Sequence, residues 1–318
     1  MIPRRDLGNS GISVSPFGFG GNVFGWTADE RRSFELLDAF VGEGFQLVDT
    51  ADCYSSWAPG HRGGESETVI GNWLRRSGKR SQVVIATKVG HDLMPGSRGL
   101  RRDYILRSVD DSLRRLQTDY IDLYQAHKDD PATPVAETLE AFAGLVKSGK
   151  VRTIGASNFS AARLAESLAV SAERGFPRYE TLQPLYNLYD RADFERDLQP
   201  LCAREKVGVI NYYSLASGFL TGKYRTEADL AKSVRGGGAV KSRFNERGLR
   251  ILGGLDTVAK ELGATPAQVA IAWLLSRDTI AAPLASATSL EQLRELLGGV
   301  RLRLDAGALA ELERVSAP

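Results

Sequence analysis

Cysteine is scarce in this chain, whose 318 residues include only Cys53 and Cys202. Two cysteines cannot build a disulfide framework, and so low a count is typical of proteins kept in a reducing compartment. A small buried thiol is the simplest interpretation of Cys53. We therefore expect a cytoplasmic protein that folds without disulfides.

Long apolar runs and an excess of one charge are also missing. No stretch approaches the roughly 18 consecutive apolar residues of a membrane span, and residues 1–6 contain no apolar segment that could serve as a signal peptide. The 41 Lys and Arg residues nearly balance the 39 Asp and Glu residues, for a net charge of +2. We expect neither a membrane nor a nucleic acid as partner, because the latter needs a concentrated basic face.

The sequence does contain a regular alternation of short apolar strands with helical patterns. Strands are predicted at 17–23, 45–49, 83–88, 121–125, 151–155, 181–183, 207–212 and 280–284. Helices are predicted from 28 to 43, at 66–76, 103–116, 134–148, 160–174, 191–205 and 265–276, and from Leu290 onward. Eight strands, most of them followed by a helix, predict an α/β fold in which residues 1–318 form one (β/α)8 TIM barrel domain. An open doubly wound sheet is the alternative, but no Gly-x-Gly-x-x-Gly turn follows the first strand.

Ionisable side chains stand at the ends of successive predicted strands. Asp49 ends the second strand, Lys88 ends the third, His127 follows the fourth, and Tyr54 lies in the loop after Asp49. Chemistry in such barrels takes place at the carboxyl ends of the strands, so we expect these four side chains to meet. Taken alone, each has an ordinary interpretation, such as Asp49 capping the next helix.

The four residues suggest a mechanism for carbonyl reduction. We expect Lys88, held by Asp49, to lower the pKa of the Tyr54 phenol toward the working range. Tyr54 would donate a proton to a carbonyl oxygen as a hydride reaches the carbon, and neutral His127 would orient that oxygen. Schiff-base formation by Lys88 is the rival use, although pairing with Asp49 would keep the amine protonated.

The later strands end in groups that suit a nicotinamide cofactor. Amide or hydroxyl groups can hold a carboxamide and a phenol ring can stack on the nicotinamide; the candidates are Ser157, Asn158, Gln183 and Tyr212. The loop 214–224 is rich in small residues, so its backbone N–H groups could wrap a pyrophosphate. Ser286 and Thr288 precede a helix whose N-terminus could meet a phosphate, with a serine-rich helix cap as the alternative.

Two loops carry further candidates. Trp57, in the loop 55–64, is close enough in sequence to Tyr54 to form a wall of the substrate pocket. The segment 224–250 contains basic residues around Gly236, Gly237 and Gly238, and we expect it to be mobile and to close over a dinucleotide. Arg243 is the candidate phosphate contact there.

The whole chain resembles the aldo-keto reductase superfamily, with motifs at residues 48–54, 64–67, 86–88, 119–127, 149–159 and 220–224. The resemblance implies a (β/α)8 barrel with an N-terminal β-hairpin closing its bottom, which fits residues 4–15. It implies NADPH-dependent reduction of a small aldehyde or ketone. It also implies a catalytic tetrad of Asp49, Tyr54, Lys88 and His127.

The resemblance extends to the cofactor contacts. It implies that the carboxamide and ring are held by Ser157, Asn158, Gln183 and Tyr212, and the pyrophosphate by Tyr213, Ser214, Leu215, Ala216, Ser217, Gly218 and Lys223. Asn22 and Thr288 are further candidates, and Glu295 matches an adenine contact. At the 2′-phosphate, Ser286 and Gln292 replace the basic residues of many members, so NADH is possible beside NADPH. This small-residue and glutamine pattern is similar to that of the branch containing the potassium-channel β subunits.

Three functions therefore stay open. The first is a general carbonyl reductase, and the second is a cofactor-sensing regulatory subunit. The third is a reductase of a sugar nucleotide or natural-product intermediate, because pocket loops rather than the tetrad decide the substrate. The sequence does not give the oligomeric state.

Overall fold

The structure, a computed structural model, describes residues 2–232, 238 and 240–318. A short antiparallel hairpin comes first, formed by β1 (Arg5–Asp6) and β2 (Ser13–Val14). Eight parallel strands follow, β3 (Gly18–Gly20), β4 (Leu47–Asp49), β5 (Val84–Val89), β6 (Ile121–Ala126), β7 (Val151–Ser157), β8 (Tyr179–Gln183), β9 (Gly208–Val209) and β10 (Leu284–Ala285).

These eight strands form a closed (β/α)8 barrel, as the sequence predicted. Each strand pairs with the next in chain order from β3 to β9, and β10 pairs with β3. The remaining edge is closed because Val209 of β9 bridges to Ile280 in parallel, and Leu284 N donates to Asn211 O at 2.9 Å. The carboxyl ends of all eight strands therefore lie around one rim.

Ten helices lie among the described residues. They are α1 (Glu30–Gly42), α2 (Glu65–Ser77), α3 (Arg102–Leu116), α4 (Val135–Lys147), α5 (Ala161–Arg174), α6 (Gln199–Glu205), α7 (Glu246–Leu262), α8 (Pro266–Leu275), α9 (Leu290–Arg301) and α10 (Ala306–Ser316). In the described part of the chain, no helix is both long and apolar enough to cross a membrane.

The hairpin closes the lower end of the barrel with apolar side chains. Leu7, Ile12 and Val14 are buried in one cluster with strand residues of the barrel interior, including Leu47 and Leu123. Leu47 begins β4, so this cluster fills the amino-terminal end of the strands. Burying it leaves only the opposite end of the barrel open for polar chemistry.

The helix predicted at 191–205 is present from residue 192 with a change in its hydrogen bonding, and two other helices were not predicted. The predicted helix contains a π-helical turn, Phe194–Leu198, followed by α6. Pro200 lies in the first turn of α6, where its missing N–H cannot donate to the carbonyl four residues back. The helices α7 and α10 were not predicted.

The segment predicted as a mobile loop at 224–250 is largely structured where it is described. It contains 3-10 turns at Glu227–Lys232 and Lys241–Arg243, and α7 begins at Glu246. Asn245 caps α7 by accepting a hydrogen bond from Gly248 N. The predicted glycine cluster lies in part outside the described residues, since residues 235–237 belong to the gap.

Candidate active site

The Lys88 ammonium joins three groups at the upper rim of the barrel. Its Nζ donates to Asp49 Oδ2 at 2.7 Å, to the Thr50 backbone oxygen at 2.8 Å and to Tyr54 Oη at 2.9 Å. A lysine has three N–H donors, so this side chain, which is 0% exposed, is fully satisfied. The structure therefore brings together three of the four predicted catalytic residues.

Asp49 is held on both of its oxygens. Oδ2 accepts from Lys88, and Oδ1 accepts from Gln183 Nε2 at 2.9 Å and from Gln125 Nε2 at a longer 3.4 Å. The carboxylate is buried at the end of β4. A buried carboxylate is tolerated only with such pairing and hydrogen bonds.

The expected lowering of the Tyr54 pKa was wrong. Burial raises the pKa of the Tyr54 phenol well above its usual value near 10, and the nearby Asp49 carboxylate raises it further. The Lys88 ammonium, which donates to Tyr54 Oη at 2.9 Å, favours the phenolate, but burial and the Asp49 carboxylate have the larger effect on the pKa. Tyr54 is therefore a protonated phenol at ordinary pH, which is the form that can give up a proton.

His127 follows β6 and faces Tyr54, with ring centroids 5.9 Å apart. Burial lowers the pKa of His127 well below 6.5, and the Lys88 charge adds to this effect. The imidazole is therefore neutral at ordinary pH. Its Nδ1 lies 3.7 Å from Cys53 Sγ, and His91 packs against the ring at 4.6 Å.

The candidate carboxamide groups form one hydrogen-bonded chain beside His127. Asn158 Nδ2 donates to the His127 backbone oxygen at 2.9 Å and to Ser157 Oγ at 3.1 Å, and Tyr212 Oη donates to Asn158 Oδ1 at 2.8 Å. Ser157 Oγ donates to the Gln183 backbone oxygen at 2.8 Å. One Gln183 N–H serves Asp49, a role that the sequence did not indicate.

The loop after β9 has an unusual backbone. Tyr213, Ala216, Ser217 and Gly218 all have positive φ values, the last three in succession. A Cβ built at Gly218 would lie 3.5 Å from Lys223 Nζ, so the ammonium lies against this turn. Within the turn, Ala216 N donates to Tyr213 O at 2.7 Å and Gly218 N donates to Leu215 O at 2.8 Å, so the Lys223 ammonium is the group here that would attract an anion.

The predicted 2′-phosphate and adenine residues gather at the start of α9. Ser286 Oγ donates to Asn22 Oδ1 at 2.5 Å. Thr288 donates to Gln292 Oε1 from its backbone N at 2.9 Å and from Oγ1 at 3.1 Å. Glu295 lies one turn further along α9, half-buried.

Two other candidates have clear surroundings. Arg243, predicted to contact phosphate, is buried and donates to Asp190 Oδ2 from Nε at 3.1 Å and from Nη2 at 2.7 Å. Trp57, predicted as a pocket wall, packs edge-on against Tyr54 with centroids 5.8 Å apart, and against Trp26 at 5.7 Å. Trp57 is 38% exposed, so it lines the mouth of the site rather than its interior.

A buried acid behind the tetrad was not predicted. Neither carboxyl oxygen of Asp52 has a hydrogen-bond partner among the described residues. Burial raises the pKa of Asp52 to about 8, with repulsion from Glu67 adding to the effect. Glu67 itself accepts from Thr87 Oγ1 and Arg115 Nε, each at 2.6 Å. Asp52 is thus held as a neutral acid near neutral pH.

Cys53 and Gln125 are the other contacts that the sequence did not reveal. Both stand close to tetrad residues in the chain, Cys53 directly before Tyr54 and Gln125 two residues before His127. Sequence adjacency was the available signal. The sequence did not show the direction in which each side chain points.

Comparison with known proteins agrees with this geometry. The family model described as "Aldo/keto reductase family" matches residues 16–317. The chain is 35% identical to "Uncharacterized oxidoreductase YrpG" of Bacillus subtilis, over 97% of this chain and 94% of that protein. It is 36% identical to "Aldo-keto reductase YhdN" of the same organism (91% and 85%) and 32% identical to a "Probable voltage-gated potassium channel subunit beta" of Arabidopsis thaliana (93% and 90%). The chain therefore belongs to the aldo/keto reductase family of oxidoreductases.

Proposed function

We propose that this protein reduces a small aldehyde or ketone to an alcohol with a nicotinamide cofactor, and that Tyr54 is the proton donor. The observation that carries the proposal is the contact of Lys88 Nζ with both Asp49 Oδ2 and Tyr54 Oη, beside the ring of His127. The buried lysine holds the phenol oxygen beside a positive charge. This arrangement suits a phenol that transiently becomes negative.

Each side chain has a role in the proposed proton transfer. When bound, the reduced cofactor supplies the hydride that reaches the carbonyl carbon. The Tyr54 phenol gives its proton to the carbonyl oxygen, and the resulting phenolate is stabilised by the Lys88 ammonium 2.9 Å away. Asp49 fixes the position of Lys88. His127, being neutral, can donate a hydrogen bond to the same carbonyl oxygen.

We propose NADPH as the cofactor, with NADH as the alternative. We propose that the turn at residues 216–218 and the Lys223 ammonium beside it contact the pyrophosphate, chiefly through the charge of Lys223. We propose that Tyr213, Ser214 and Leu215 complete that contact. The carboxamide would meet Ser157, Asn158 and Gln183, the ring Tyr212, and the adenosine end Asn22, Arg243, Ser286, Thr288, Gln292 and Glu295.

The substrate is proposed to be a small carbonyl compound with an apolar side. Trp57 and Trp26 form an aromatic edge next to Tyr54, and such a surface favours contact with an apolar group. A sugar nucleotide or other natural-product intermediate is the more polar alternative. Both cysteines are free and buried, which suits the reducing cytoplasm in which we propose that the reaction occurs.

A cofactor-sensing regulatory role is the second candidate. It is favoured by the similarity to proteins named probable voltage-gated potassium channel β subunits. Such a role needs cofactor binding but not rapid turnover, so binding and turnover measured on the same preparation separate the two functions.

The experiment is a titration with NADPH and NADH followed by quenching of tryptophan fluorescence, then a panel of aldehydes and ketones. We expect binding with preference for NADPH and turnover of at least one carbonyl. Binding without turnover of any carbonyl would favour the regulatory role. Failure to bind either cofactor would contradict the hydride mechanism and revive the Schiff-base role of Lys88.

A further inference from the structure

The thiol of Cys53 and the imidazole of His127 are in contact inside the protein. Cys53 Sγ lies 3.7 Å from His127 Nδ1, within hydrogen-bonding range for sulfur, and both side chains are buried. We propose that Cys53 is a positioning residue, whose S–H donates to Nδ1 and thereby holds His127 in the tautomer with its proton on Nε2. The catalytic consequence of this bond rests on the proposed function, but the bond itself does not.

The direction of the hydrogen bond follows from the state of each group. Burial raises the pKa of the Cys53 thiol, so its proton is retained at working pH. Burial lowers the pKa of His127, so the ring is neutral and has one donor and one acceptor nitrogen. A neutral imidazole nitrogen accepts well and sulfur accepts weakly, so S–H to N is the favoured arrangement.

The rest of the ring is arranged to leave Nε2 for another molecule. The His127 backbone is fixed at both ends, because its N donates to Val89 O at 2.9 Å and its O accepts from Asn158 Nδ2. Among the described residues, Nε2 has no hydrogen-bond partner. A proton on Nε2 is therefore available to a ligand in the mouth of the barrel.

The tautomer decides whether His127 can help a carbonyl. A carbonyl oxygen only accepts hydrogen bonds, so it needs N–H at Nε2. With the proton on Nδ1, the Nε2 lone pair would face the oxygen and repel it. Holding the proton on Nε2 thus keeps His127 in the tautomer that can donate to the carbonyl and keeps the Nδ1-protonated tautomer, which cannot, from being populated.

Asp52 is the neighbour that could oppose this arrangement. One of its oxygens, Cys53 Sγ and a ring nitrogen of His127 lie within 4.8 Å of one another. An ionised carboxylate there would favour a proton on Nδ1. Burial and Glu67 keep the Asp52 carboxyl neutral near pH 7, so the thiol is left as the hydrogen-bond partner of the ring.

The test is an NMR measurement of the His127 ring nitrogens in protein labelled with ¹⁵N-histidine. The chain has only three histidines, and His127→Gln identifies the relevant signals. The protonated and bare nitrogens of a neutral imidazole have widely separated ¹⁵N shifts, so the spectrum gives the tautomer without any assay of activity. We expect the proton on Nε2 in the wild type and a mixture of tautomers in Cys53→Ala.

Cys202→Ala is the matched control, because Cys202 is equally buried and has no hydrogen-bond partner among the described residues. It should leave the tautomer unchanged. If Cys53→Ala fails to fold, Cys53→Val replaces it with a side chain of similar volume and no donor. If the protein reduces carbonyls, kcat in Cys53→Ala should fall about threefold to tenfold, the worth of one neutral hydrogen bond, with KM nearly unchanged.

Three results would overturn the proposal. The first is a proton on Nδ1 in the wild type, and the second is an unchanged tautomer in both Cys53 variants. The third is a tautomer that changes when EDTA is added. A cation bound to Nδ1 would also leave the proton on Nε2, and EDTA would remove such a cation. Loss of turnover on every carbonyl, with the tautomers as expected, would count against the proposed function and leave the positioning role standing.

Discussion

Gln183 Nε2 donates to Asp49 Oδ1 at 2.9 Å, joining the ends of β8 and β4 across the barrel interior. The two residues are 134 positions apart in the chain. Asp49 in turn holds Lys88, which contacts Tyr54. Gln183, expected to touch the cofactor, is therefore also part of the support for Lys88, the proposed catalytic lysine.

This bond predicts that Gln183→Leu destabilises the protein. The buried Asp49 oxygen would keep only the long 3.4 Å bond from Gln125, and an unsatisfied buried acceptor costs about 1–3 kcal/mol. Urea unfolding of the two proteins measures the loss. Gln125→Leu is the matched control and should lower the free energy of unfolding less, because the Gln125 bond to Asp49 is longer. Equal losses of stability in the two variants would show that the Gln183 bond contributes no more than the Gln125 bond.

The Lys88–Asp49 pair predicts a separation of stability from activity. Lys88→Met leaves a buried unpaired carboxylate and should destabilise by about 3–5 kcal/mol. Adding Asp49→Asn removes that charge, so the double variant should regain much of the stability while remaining inactive. Denaturation curves and turnover of the same samples provide the comparison. A double variant no more stable than Lys88→Met would contradict the prediction.

Asp52 predicts a pH-dependent difference in stability. Its folded pKa, about 8, lies above the unfolded value near ~4, so its contribution is fully present below about pH 4 and is lost as the pH rises through about 8. Asn has nearly the shape of the neutral acid. The free energy of unfolding of Asp52→Asn should therefore be closer to that of the wild type at pH 5 than at pH 9. At pH 9 the variant should be the more stable protein. The measurement is the free energy of unfolding of both proteins at the two pH values. The same difference between variant and wild type at both pH values would mean that Asp52 is not held neutral.

The start of α9 predicts a change in cofactor preference. Gln292 receives two hydrogen bonds from Thr288 at this helix N-terminus, and Gln292→Arg would place a cation beside the proposed 2′-phosphate. We expect the ratio of NADPH to NADH affinity to rise by about tenfold, one charged hydrogen bond. Ala162→Arg, exposed in the first turn of α5, adds the same charge elsewhere and should not change the ratio. An unchanged ratio in Gln292→Arg would move the phosphate site elsewhere.

The barrel and the meeting of the tetrad were predictable because both follow from strand ends. Asp49, Lys88 and His127 stand at or just after the carboxyl ends of consecutive strands, and parallel pairing alone brings such positions to one rim. The hairpin was predictable from the turn residues Asn9, Ser10 and Gly11, which lie between two short apolar runs. These features depend on local sequence and on topology.

Other features depend on contacts between distant parts of the chain. α7 contains Gly253 and Gly254, which weaken a helical pattern. A Cβ at Gly254 would lie 2.6 Å from Val315, so this glycine lets α10 approach closely. No local signal shows that packing, which explains why α7 and α10 were missed.

The pKa shifts in the site could not be predicted from the sequence for the same reason. The pKa of Tyr54 depends on its burial and on Asp49, and the pattern of residues gave the neighbours without the degree of burial. Asp52 and Cys53 were visible as residues. Their orientation toward Glu67 and His127 comes only from the folded loop.

The most direct test of the account is turnover by Tyr54→Phe. This change removes one hydroxyl and keeps the ring that packs against Trp57 and His127. We expect carbonyl reduction to fall by at least about a hundredfold, the usual contribution of a positioned proton donor, while fluorescence titration shows nearly unchanged cofactor affinity. Full turnover by Tyr54→Phe would contradict the central claim that the Tyr54 phenol donates the proton.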